Sequence, residues 1–444
     1  YTLVYTLSLH DALPISPNGQ GKTAVLDALA VALGPFVSAF DEGKDAGFAV
    51  DDIRLIRAKD GSNTMEYAAD GVSLEARGYV PFTKKVAKAD ESFIYNWQRR
   101  LAGPKSRTTR KEASILTKYG KQLQTQARRE AESGDSGVVL PIIAYYDTGR
   151  LWNIRRLPYK KLSRTSRMVG YTHCLESGSD YHLLADWFRY WSTNAWKARI
   201  EAEQRGDDSS LDPFSDSLEV LKKAVNHCLK PTGWGEIDFS MGREELVAYH
   251  PEHGELPVAM LSDGIRSMLA LVADIAFRAA KLNPNLGPLA ATHTPGIVLI
   301  DEVDMHLHPV WQQLVLNQLR AAFPSVQFIV TTHSPQVLST IKKESIRTLG
   351  KNWQGEYVAE IPLARSYGEI SSDVLQSIML VDPQPPIKER KDIDELTELV
   401  DQGLYDSEKA LELRNTLENV LGKNHPQMQK IERSINRQKR IQQT

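Results

Sequence analysis

The stretch that decides the fold is Ser16-Pro-Asn-Gly-Gln-Gly-Lys-Thr23, which is followed at once by an apolar helical pattern from Ala24 to Leu33. Small residues let successive backbone N–H groups turn inward at the start of a helix, where they bind phosphate oxygens. The lysine then reaches the β- and γ-phosphates, and the threonine hydroxyl binds magnesium. The sequence therefore predicts a phosphate-binding loop that lacks only its first glycine. The residues expected to bind the nucleotide are Asn18, Gly19, Gly21, Lys22 and Thr23.

Residues 1–15 stand where such a loop is normally preceded by a strand. The segment from Leu7 to Ile15 reads LSLHDALPI, which is what one frame of a common sequencing-library adapter would encode. We expect residues 1–15 to be an artefact that replaces a native strand, whose end would supply a glycine in place of Ser16. The alternative is a genuine but unusual first strand. A secretory signal is not expected, since the segment has no basic start and carries His10 and Asp11.

Length and composition favour a cytoplasmic enzyme of about two or three domains. The 444 residues include two cysteines, Cys174 and Cys228, which argues against a disulfide framework or a zinc cluster. The apolar runs are too short to cross a bilayer, so no membrane partner is expected. Charge is unevenly spread, with 17 Lys and Arg against 5 Asp and Glu between Arg99 and Arg167.

A second nucleotide element is Gly296-Ile-Val-Leu-Ile-Asp301-Glu302. Its apolar run predicts a strand buried on both faces, and its acids would stand at the carboxyl edge where α/β sheets bind ligands. We expect Asp301 to bind Mg²⁺ and Glu302 to orient or deprotonate the attacking water. Alternatively, two acids can simply end a strand in solvent.

A strand–helix–strand unit continues from there. A helix is predicted from Pro309 and a buried strand from Val326 to Thr332, so the two strands are parallel and His333 lies at the same edge as Asp301. His333 is expected to contact the γ-phosphate or the water. His306 and His308 lie in the turn before Pro309, and we interpret them as structural residues rather than metal ligands. The apolar positions of the predicted helix are Val310, Leu314, Leu319 and Phe323.

The motif Leu261-Ser-Asp-Gly264 opens a helix whose apolar residues keep helical spacing. A serine at this place is usually a helix cap. Combined with the loop, the acid pair and His333, however, the motif makes the chain resemble the ATPase heads of the ABC superfamily, in the SMC/RecF-like branch. The resemblance runs from Pro17 to about Ser334. It implies an α/β fold, an ABC-type P-loop ATPase head with an inserted helical subdomain and a C-terminal helical tail, and ATP and Mg²⁺ as ligands.

The same resemblance implies a role for each matching residue. Lys22 and Thr23 would contact phosphate and magnesium, Asp301 would bind magnesium, Glu302 would be the catalytic base, Asp304 would lie in the loop after it, and His333 would be the switch histidine. Ser262 and Gly264 would cap the γ-phosphate bound by a second subunit. A site completed in this way requires a head-to-tail homodimer. The glutamine loop of the family stays unassigned.

The segments between the motifs differ from SMC proteins. Lys88–Glu132, Ser179–Glu203 and Ser217–Lys230 look helical, a linker is expected at 206–213, and no stretch sustains a long coiled coil. Such insertions resemble the ATPases of Septu anti-phage systems, including those attached to retrons, as do residues 298–339 and 361–386. That family pairs its ATPase with an HNH nuclease and, in retrons, with a reverse transcriptase and its non-coding DNA. The predicted domains are 1–15 (artefact), 16–87 (ATPase lobe), 88–135 (basic helical insertion), 136–175 (ATPase lobe), 176–234 (helical insertion), 235–365 (signature, acid pair and His333) and 366–444 (helical tail).

Two regions permit two interpretations each. The basic residues of 99–167, interleaved with Trp97, Tyr119, Trp152 and Tyr159, are typical of non-specific DNA or RNA binding, or of solvated helix faces. The acid-rich helices expected between Asp392 and Leu421 either dock a partner or pack on the head. The named bases are Arg99, Arg100, Lys105, Arg107, Arg110, Lys111, Arg155, Arg156, Lys160, Lys161, Arg164 and Arg167.

Three classes of function follow. The first is an ATP-hydrolysing dimer that senses or regulates in anti-phage defence with a partner nuclease. The second is a RecF-type repair ATPase acting on DNA. The third is an ATPase–nuclease of the overcoming-lysogenisation (OLD) type, which would need an Asp-x-Asp at a strand end. Asp392 and Asp394 have that spacing but lie in a helical pattern, so intrinsic nuclease activity is not expected.

Overall fold

The computed structural model describes residues 13–15, 21–57, 64–80, 94–134, 137–151, 166–176, 181–205 and 213–442. They fall into two compact units, Tyr1–Leu380 and Val381–Thr444. The strands are β1 (Leu13–Ile15), β2 (Leu55–Arg57), β3 (Met65–Tyr67), β4 (Val72–Tyr79), β5 (Ile94–Leu101), β6 (Ile142–Tyr146), β7 (Gly235–Ser240), β8 (Glu245–His250), β9 (Gly254–Pro257), β10 (Gly296–Ile300), β11 (Val326–Val330), β12 (Ile346–Lys351) and β13 (Tyr357–Glu360). The helices are α1 (Lys22–Val37), α2 (Ser114–Ser133), α3 (Tyr181–Arg205), α4 (Pro213–Leu229), α5 (Asp263–Leu282), α6 (Ala290–His293), α7 (Pro309–Gln312), α8 (Val315–Ala322), α9 (Pro335–Leu338), α10 (Ser371–Ser377), α11 (Arg390–Asp401), α12 (Glu408–Leu421) and α13 (Pro426–Gln442).

A parallel sheet of order β11-β10-β6 forms the centre of the first unit. Ile300 at the end of β10 lies opposite both Tyr146 and Val330, so the three strands end at the same edge. A second ladder has the order β1-β12-β13, in which β1 and β12 are parallel and β13 is antiparallel. Because β1 also contacts β11, the strand before the phosphate loop lies next to the central sheet. The α/β class and the parallel β10–β11 pair are as predicted.

Both faces of the central sheet are covered, because alternate residues of a strand point to opposite sides. One face packs against α1 through a small cluster, and the other contributes to the main core, which includes α5. The residues on the α1 side are Tyr145, Leu299 and Ile329, with Leu26 and Ala30 of the helix. Their neighbours on the α5 side are Tyr146, Ile300 and Val330. Burial on both faces explains why β10 is a continuous apolar run.

Helix α5 is buried along nearly its whole length and carries two charged side chains into the core. The carboxylate of Asp274 accepts hydrogen bonds from Tyr146 Oη at 2.5 Å and from Arg278 Nε at 2.8 Å. Burial raises the pKa of the Tyr146 hydroxyl, which keeps it protonated as a donor. Burial lowers the pKa of the Arg278 guanidinium, but Asp274, Tyr146 and Cys174 together raise it above its ordinary value. This triad joins β6 to the helix that begins at the signature motif.

The helical prediction for Lys88–Glu132 is wrong for the described residues 94–101. These form β5, which pairs with β4 in antiparallel register, and the helix of this segment begins only at Ser114. Trp97, Arg99 and Leu101 are buried in β5 while the residues between them are exposed. The sequence does not show an alternation of apolar and polar residues here, because Arg99 occupies one of the buried positions.

The other predicted helices are found with small changes of boundary. α3 and α4 confirm the two helices expected at Ser179–Glu203 and Ser217–Lys230. The helix from Pro309 begins there but divides into α7 and α8, and Val310, expected on its apolar face, is 55% exposed. None of the helices in the described ranges combines the length and apolar character that a membrane crossing requires.

The second unit is a three-helix assembly with a core of its own. α11 and α12 confirm the two helices expected between residues 392 and 421, and α13 adds a third, which was not predicted. Leu396 and Leu417, assigned to the apolar faces, are buried against α13 residues Met428 and Ile431. The apolar stripes are therefore largely used within the unit. Asp394 lies on α11 and accepts a hydrogen bond from Arg390, so the Asp-x-Asp spacing falls on a helix as expected.

Candidate functional site

The site lies at the carboxyl edge of the central sheet, at the start of α1. Thr23 stands on the first turn of α1, and its Oγ1 donates a hydrogen bond to Asp301 Oδ2 at 2.8 Å. Asp301 follows β10 directly, is 2% exposed, and is held by a backbone hydrogen bond to the carbonyl of Tyr146 at 2.7 Å. Two motifs that are 278 residues apart in sequence therefore meet as predicted.

Thr331 positions Asp301 and Glu302 through hydrogen bonds. It was not predicted from the sequence. Its hydroxyl donates to Asp301 Oδ1 and accepts the backbone N–H of Glu302 at 2.8 Å. Each carboxylate oxygen of Asp301 thus has a hydroxyl partner, which fixes the carboxylate plane. Thr331 follows β11 just as Asp301 follows β10. The parallel pairing of these strands was the signal that could have identified it.

Lys22 is 7% exposed and lies among the acids of the site. Burial lowers the pKa of its ammonium, while the negative charges of Glu302, Asp301 and Asp304 act in the opposite direction. Gly21 before it has φ +86°, a conformation that suits glycine, and its carbonyl accepts the first hydrogen bond of α1. A phosphate group is negatively charged like these carboxylates. It can therefore replace them as the partner of the buried Lys22 ammonium.

Glu302 has the unusual backbone φ of +47°. Such a conformation costs a non-glycine residue about 1 kcal/mol or more, and it persists only where neighbouring contacts impose it. Here Thr331 supplies those contacts, since it binds the backbone of Glu302 and its own carbonyl accepts the N–H of Val303 at 3.0 Å. The result places the side chain of Glu302 at the partly exposed rim, with Oε1 3.9 Å from His333 Nε2.

The loop after the acid pair is fixed by a polar network. Asp304 Oδ1 accepts from Thr332 Oγ1 at 2.5 Å, and Ser334 Oγ donates to Gln312 Oε1 at 2.7 Å. Gln312 closes the network, because its Nε2 donates a hydrogen bond to the carbonyl of Leu307 at 2.9 Å. His333 therefore lies between Thr332 and Ser334, whose side chains are both held by hydrogen bonds. His308 caps α7 through its ring, with Val310 N–H at 3.4 Å, as its structural interpretation predicted.

The signature motif gives a mixed result. Ser262 is the N-cap residue of α5, yet its side chain makes no capping hydrogen bond and the residue is exposed. The alternative interpretation of this serine, as a residue whose side chain caps its own helix, is therefore wrong. Gly264 is buried, and a Cβ there would lie 2.4 Å from the carbonyl oxygen of His306. This glycine is thus required by packing within the chain, whatever further role it has.

The nucleic-acid prediction is wrong for part of its basic block. Arg99 is fully buried and forms a bidentate pair with Asp45, with both distances 3.1 Å, and Arg110 pairs with the same carboxylate at 2.7 Å. Arg167 donates to the carbonyl of Leu282 at 2.7 Å. Arg99 and Arg167 are engaged within the fold, whereas the Arg110 side chain is exposed although it pairs with Asp45. Lys105, Arg107 and Lys111 are exposed, whereas Arg155, Arg156, Lys160, Lys161 and Arg164 lie outside the described residues.

Part of the phosphate loop, including Asn18 and Gly19, also lies outside the described residues. The site as described consists of Lys22, Thr23, Asp301, Glu302 and His333, with Thr331 and Asp304 behind them. One lysine, one hydroxyl and two strand-end acids thus converge at the N-terminus of α1, an arrangement that is typical of P-loop nucleotide sites.

Comparisons with known proteins agree with this class. A family model described as "AAA domain" matches residues 15–225, and one described as "AAA domain, putative AbiEii toxin, Type IV TA system" matches residues 189–339. The first match contains the phosphate loop. The second contains the signature motif, the acid pair and His333. The chain is an ATPase, the enzyme class expected from the sequence, and each of the two family models matches less than half of it.

Individual relatives are consistent with the closer resemblance. The chain is 28% identical to the "Retron Ec83 probable ATPase" of Escherichia coli, over 94% of this chain and 80% of that protein. It is 33% identical to the "Septu protein PtuA" of Bacillus mycoides, over 29% of this chain and 18% of that protein. A solved SMC head bound to the C-winged helix domain of ScpA covers 80% of this chain and 91% of its own, with 16% identity and a TM-score of 0.41. The predicted relation to retron and Septu ATPases is confirmed by the first two.

Proposed function

We propose that this ATPase binds ATP with Mg²⁺ at the edge of the central sheet and acts as a head-to-tail homodimer whose assembly depends on ATP. We further propose that it works in the cytoplasm in an anti-phage system of the retron or Septu type, where its nucleotide state regulates a separately encoded HNH-type nuclease. Similarity to a retron ATPase over nearly the whole chain supports the system, and the Septu resemblance supports the partner.

The donor set fits Mg²⁺. This ion prefers hard oxygen ligands about 2.0–2.1 Å away, so neighbouring ligands of its octahedron lie about 3 Å apart. Thr23 Oγ1 and Asp301 Oδ2 are both oxygen donors and are 2.8 Å apart. Bound there with ATP, the ion would neutralise phosphate charge. Thr331 would keep Asp301 in position by holding its second oxygen.

The two rim residues differ in their roles. Glu302 is half-exposed and can accept a proton from a water that attacks the γ-phosphate. His333 lies beside it, three residues after the end of β11, where an N–H donor would bind a γ-phosphate oxygen or the same water. Lys22 would pair with the β- and γ-phosphates in place of the carboxylates that surround it.

The observation that carries the homodimer is the exposed and uncapped Ser262. A serine at a helix N-terminus normally satisfies a backbone N–H of its own helix, yet this hydroxyl does not. The exposed hydroxyl of Ser262 therefore stands at the N-terminus of α5 without a capping bond, and a helix N-terminus favours anions such as a phosphate of a second copy. Met260, two residues earlier, is 72% exposed, which suits a surface that a second copy covers.

Glu302→Gln is expected to form a stable dimer in the presence of ATP and Mg²⁺, because ATP that is not hydrolysed continues to bridge the two heads. Light scattering after size-exclusion chromatography measures this as a doubling of mass on addition of ATP. Lys22→Ala is the control, since it should stay at its nucleotide-free mass. A Glu302→Gln protein that binds ATP but keeps the nucleotide-free mass would contradict the proposed assembly.

A further inference from the structure

The hairpin between β8 and β9 carries a histidine-rich tip, His250-Pro-Glu-His253, which the sequence analysis did not consider. His250 ends β8, and Glu252 and His253 form the turn before Gly254 begins β9. One ligand atom from each of His250, Glu252 and His253 lies within 4.8 Å of the other two. In the part of the chain that the structure describes, this is the group of three or more His, Cys, Asp or Glu side chains that converges closely enough to hold a metal ion.

The hairpin tip is built on a rigid base. The imidazoles of His250 and His253 stack with their centroids 4.6 Å apart, and the indole of Trp234 packs beneath them, 5.1 Å from His250. Gly233 leaves room for this arrangement, since a Cβ there would lie 2.4 Å from His250 Nε2. Gly233 also has φ +79°. Packing against Trp234, His253 and Gly233 thus fixes the position of the His250 ring.

His250 turns a lone pair toward the tip. Its Nδ1 accepts the backbone N–H of Glu252 at 3.1 Å, so this nitrogen carries a lone pair that faces the tip, and a metal ion bound there would displace that N–H. A neutral imidazole nitrogen with a lone pair is the form that binds metal. Glu252 and His253 are exposed and can adjust their side-chain torsions toward the same point.

We propose that His250, Glu252 and His253 bind a divalent transition-metal ion, with Zn²⁺ as the best match. Two imidazoles and one carboxylate are a set that Zn²⁺ takes, with a fourth position open to water or a further ligand. Zn²⁺ bonds of about 2.0–2.1 Å place ligand atoms about 3.4 Å apart, so the three atoms need to close by rotation of the two exposed side chains. Mg²⁺ prefers oxygen ligands and does not compete well for such a set.

The bound ion would stiffen the hairpin that leads into the signature motif. β9 ends at Pro257, and only a short 3₁₀ turn, Val258–Met260, separates it from Leu261 and Ser262. β8 itself contacts that turn. A metal that ties His250 to His253 therefore fixes the two strands on which the start of α5 is supported.

Zinc titration of the full chain by isothermal calorimetry tests the site. The protein carries no polyhistidine tag, and excess Mg²⁺ is present throughout to occupy the nucleotide site. We expect one Zn²⁺ per chain for the wild type, and loss of this binding in His253→Gln. Glu252→Gln should bind Zn²⁺ more weakly. His227→Gln is the matched control, since His227 is an exposed histidine at the end of α4 and should leave binding unchanged.

Two outcomes would overturn the proposal. One is a wild-type chain that binds no Zn²⁺ stoichiometrically. The other is equal binding by wild type, His253→Gln and Glu252→Gln, which would assign the zinc to other residues. Both substituted side chains are exposed, so the variants should fold, and circular dichroism checks this.

Discussion

Glu302→Gln is expected to bind ATP as the wild type does and to hydrolyse it more slowly by a factor on the order of 10²–10⁴, the usual contribution of a general base. The amide is nearly the same size as the carboxylate but cannot accept the proton of the attacking water. The backbone at this position should be unaffected, because Thr331 holds it through the N–H of Glu302 and not through the side chain. Steady-state phosphate release at saturating ATP measures the effect.

The matched control for this variant is Glu360→Gln, which makes the same chemical change at an exposed glutamate that ends β13. Its rate should equal that of the wild type. Nucleotide affinity, measured with a fluorescent ATP analogue, separates chemistry from binding. Near-wild-type turnover by Glu302→Gln would remove Glu302 from the role of base and leave His333, its neighbour at 3.9 Å, as the residue to test next.

Asp274→Ala is expected to lower the free energy of unfolding by about 3–5 kcal/mol, because it leaves a buried cation without its partner. Arg278 is 7% exposed, and the same carboxylate accepts from the buried Tyr146. Arg278 would keep its bonds to the carbonyls of Gly170 and Thr172, which are not charge partners. Urea denaturation monitored by circular dichroism measures the change.

Asp263→Ala is the control on the same helix. Asp263 also pairs with an arginine, Arg266, but both side chains are largely exposed, so the expected effect is at most about 1 kcal/mol. Equal losses in the two variants would mean that the buried triad contributes no more than a surface pair.

Since Tyr146 also binds the backbone of Asp301, Asp274→Ala should lower ATPase activity as it loosens β6.

The sequence was most informative where chemistry restricts residue choice. Lys22, Thr23, Asp301 and Glu302 were found because phosphate loops and strand-end acids allow few alternatives, and the structure brings Thr23 to 2.8 Å from Asp301. Strand β10 was predictable because it is buried on both faces and is therefore a continuous apolar run. Thr331 was missed since threonine is common at strand ends, and only the pairing of β10 with β11 shows what it touches.

Long-range pairing explains the errors. Arg99 was assigned to a nucleic-acid surface because nothing near it in sequence neutralises it, whereas Asp45, 54 residues away, forms its buried ion pair. Because Arg99 occupies a buried position of β5, the segment lacks the apolar alternation of a strand and was predicted to be helical. Contacts between distant segments, which composition cannot report, decided each case.

Phosphate release by a mixture of two inactive variants tests the central claim, that the hydrolytic site of one chain is completed by Ser262 of another. Ser262→Arg should bind ATP through Lys22 but block closure, and Lys22→Ala should close without holding ATP. Their heterodimer contains one intact site, so an equimolar mixture should recover about a quarter of the wild-type rate if subunits pair at random. A mixture that exchanges subunits, as shown by co-purification of differently tagged chains, and yet stays inactive would contradict the claim.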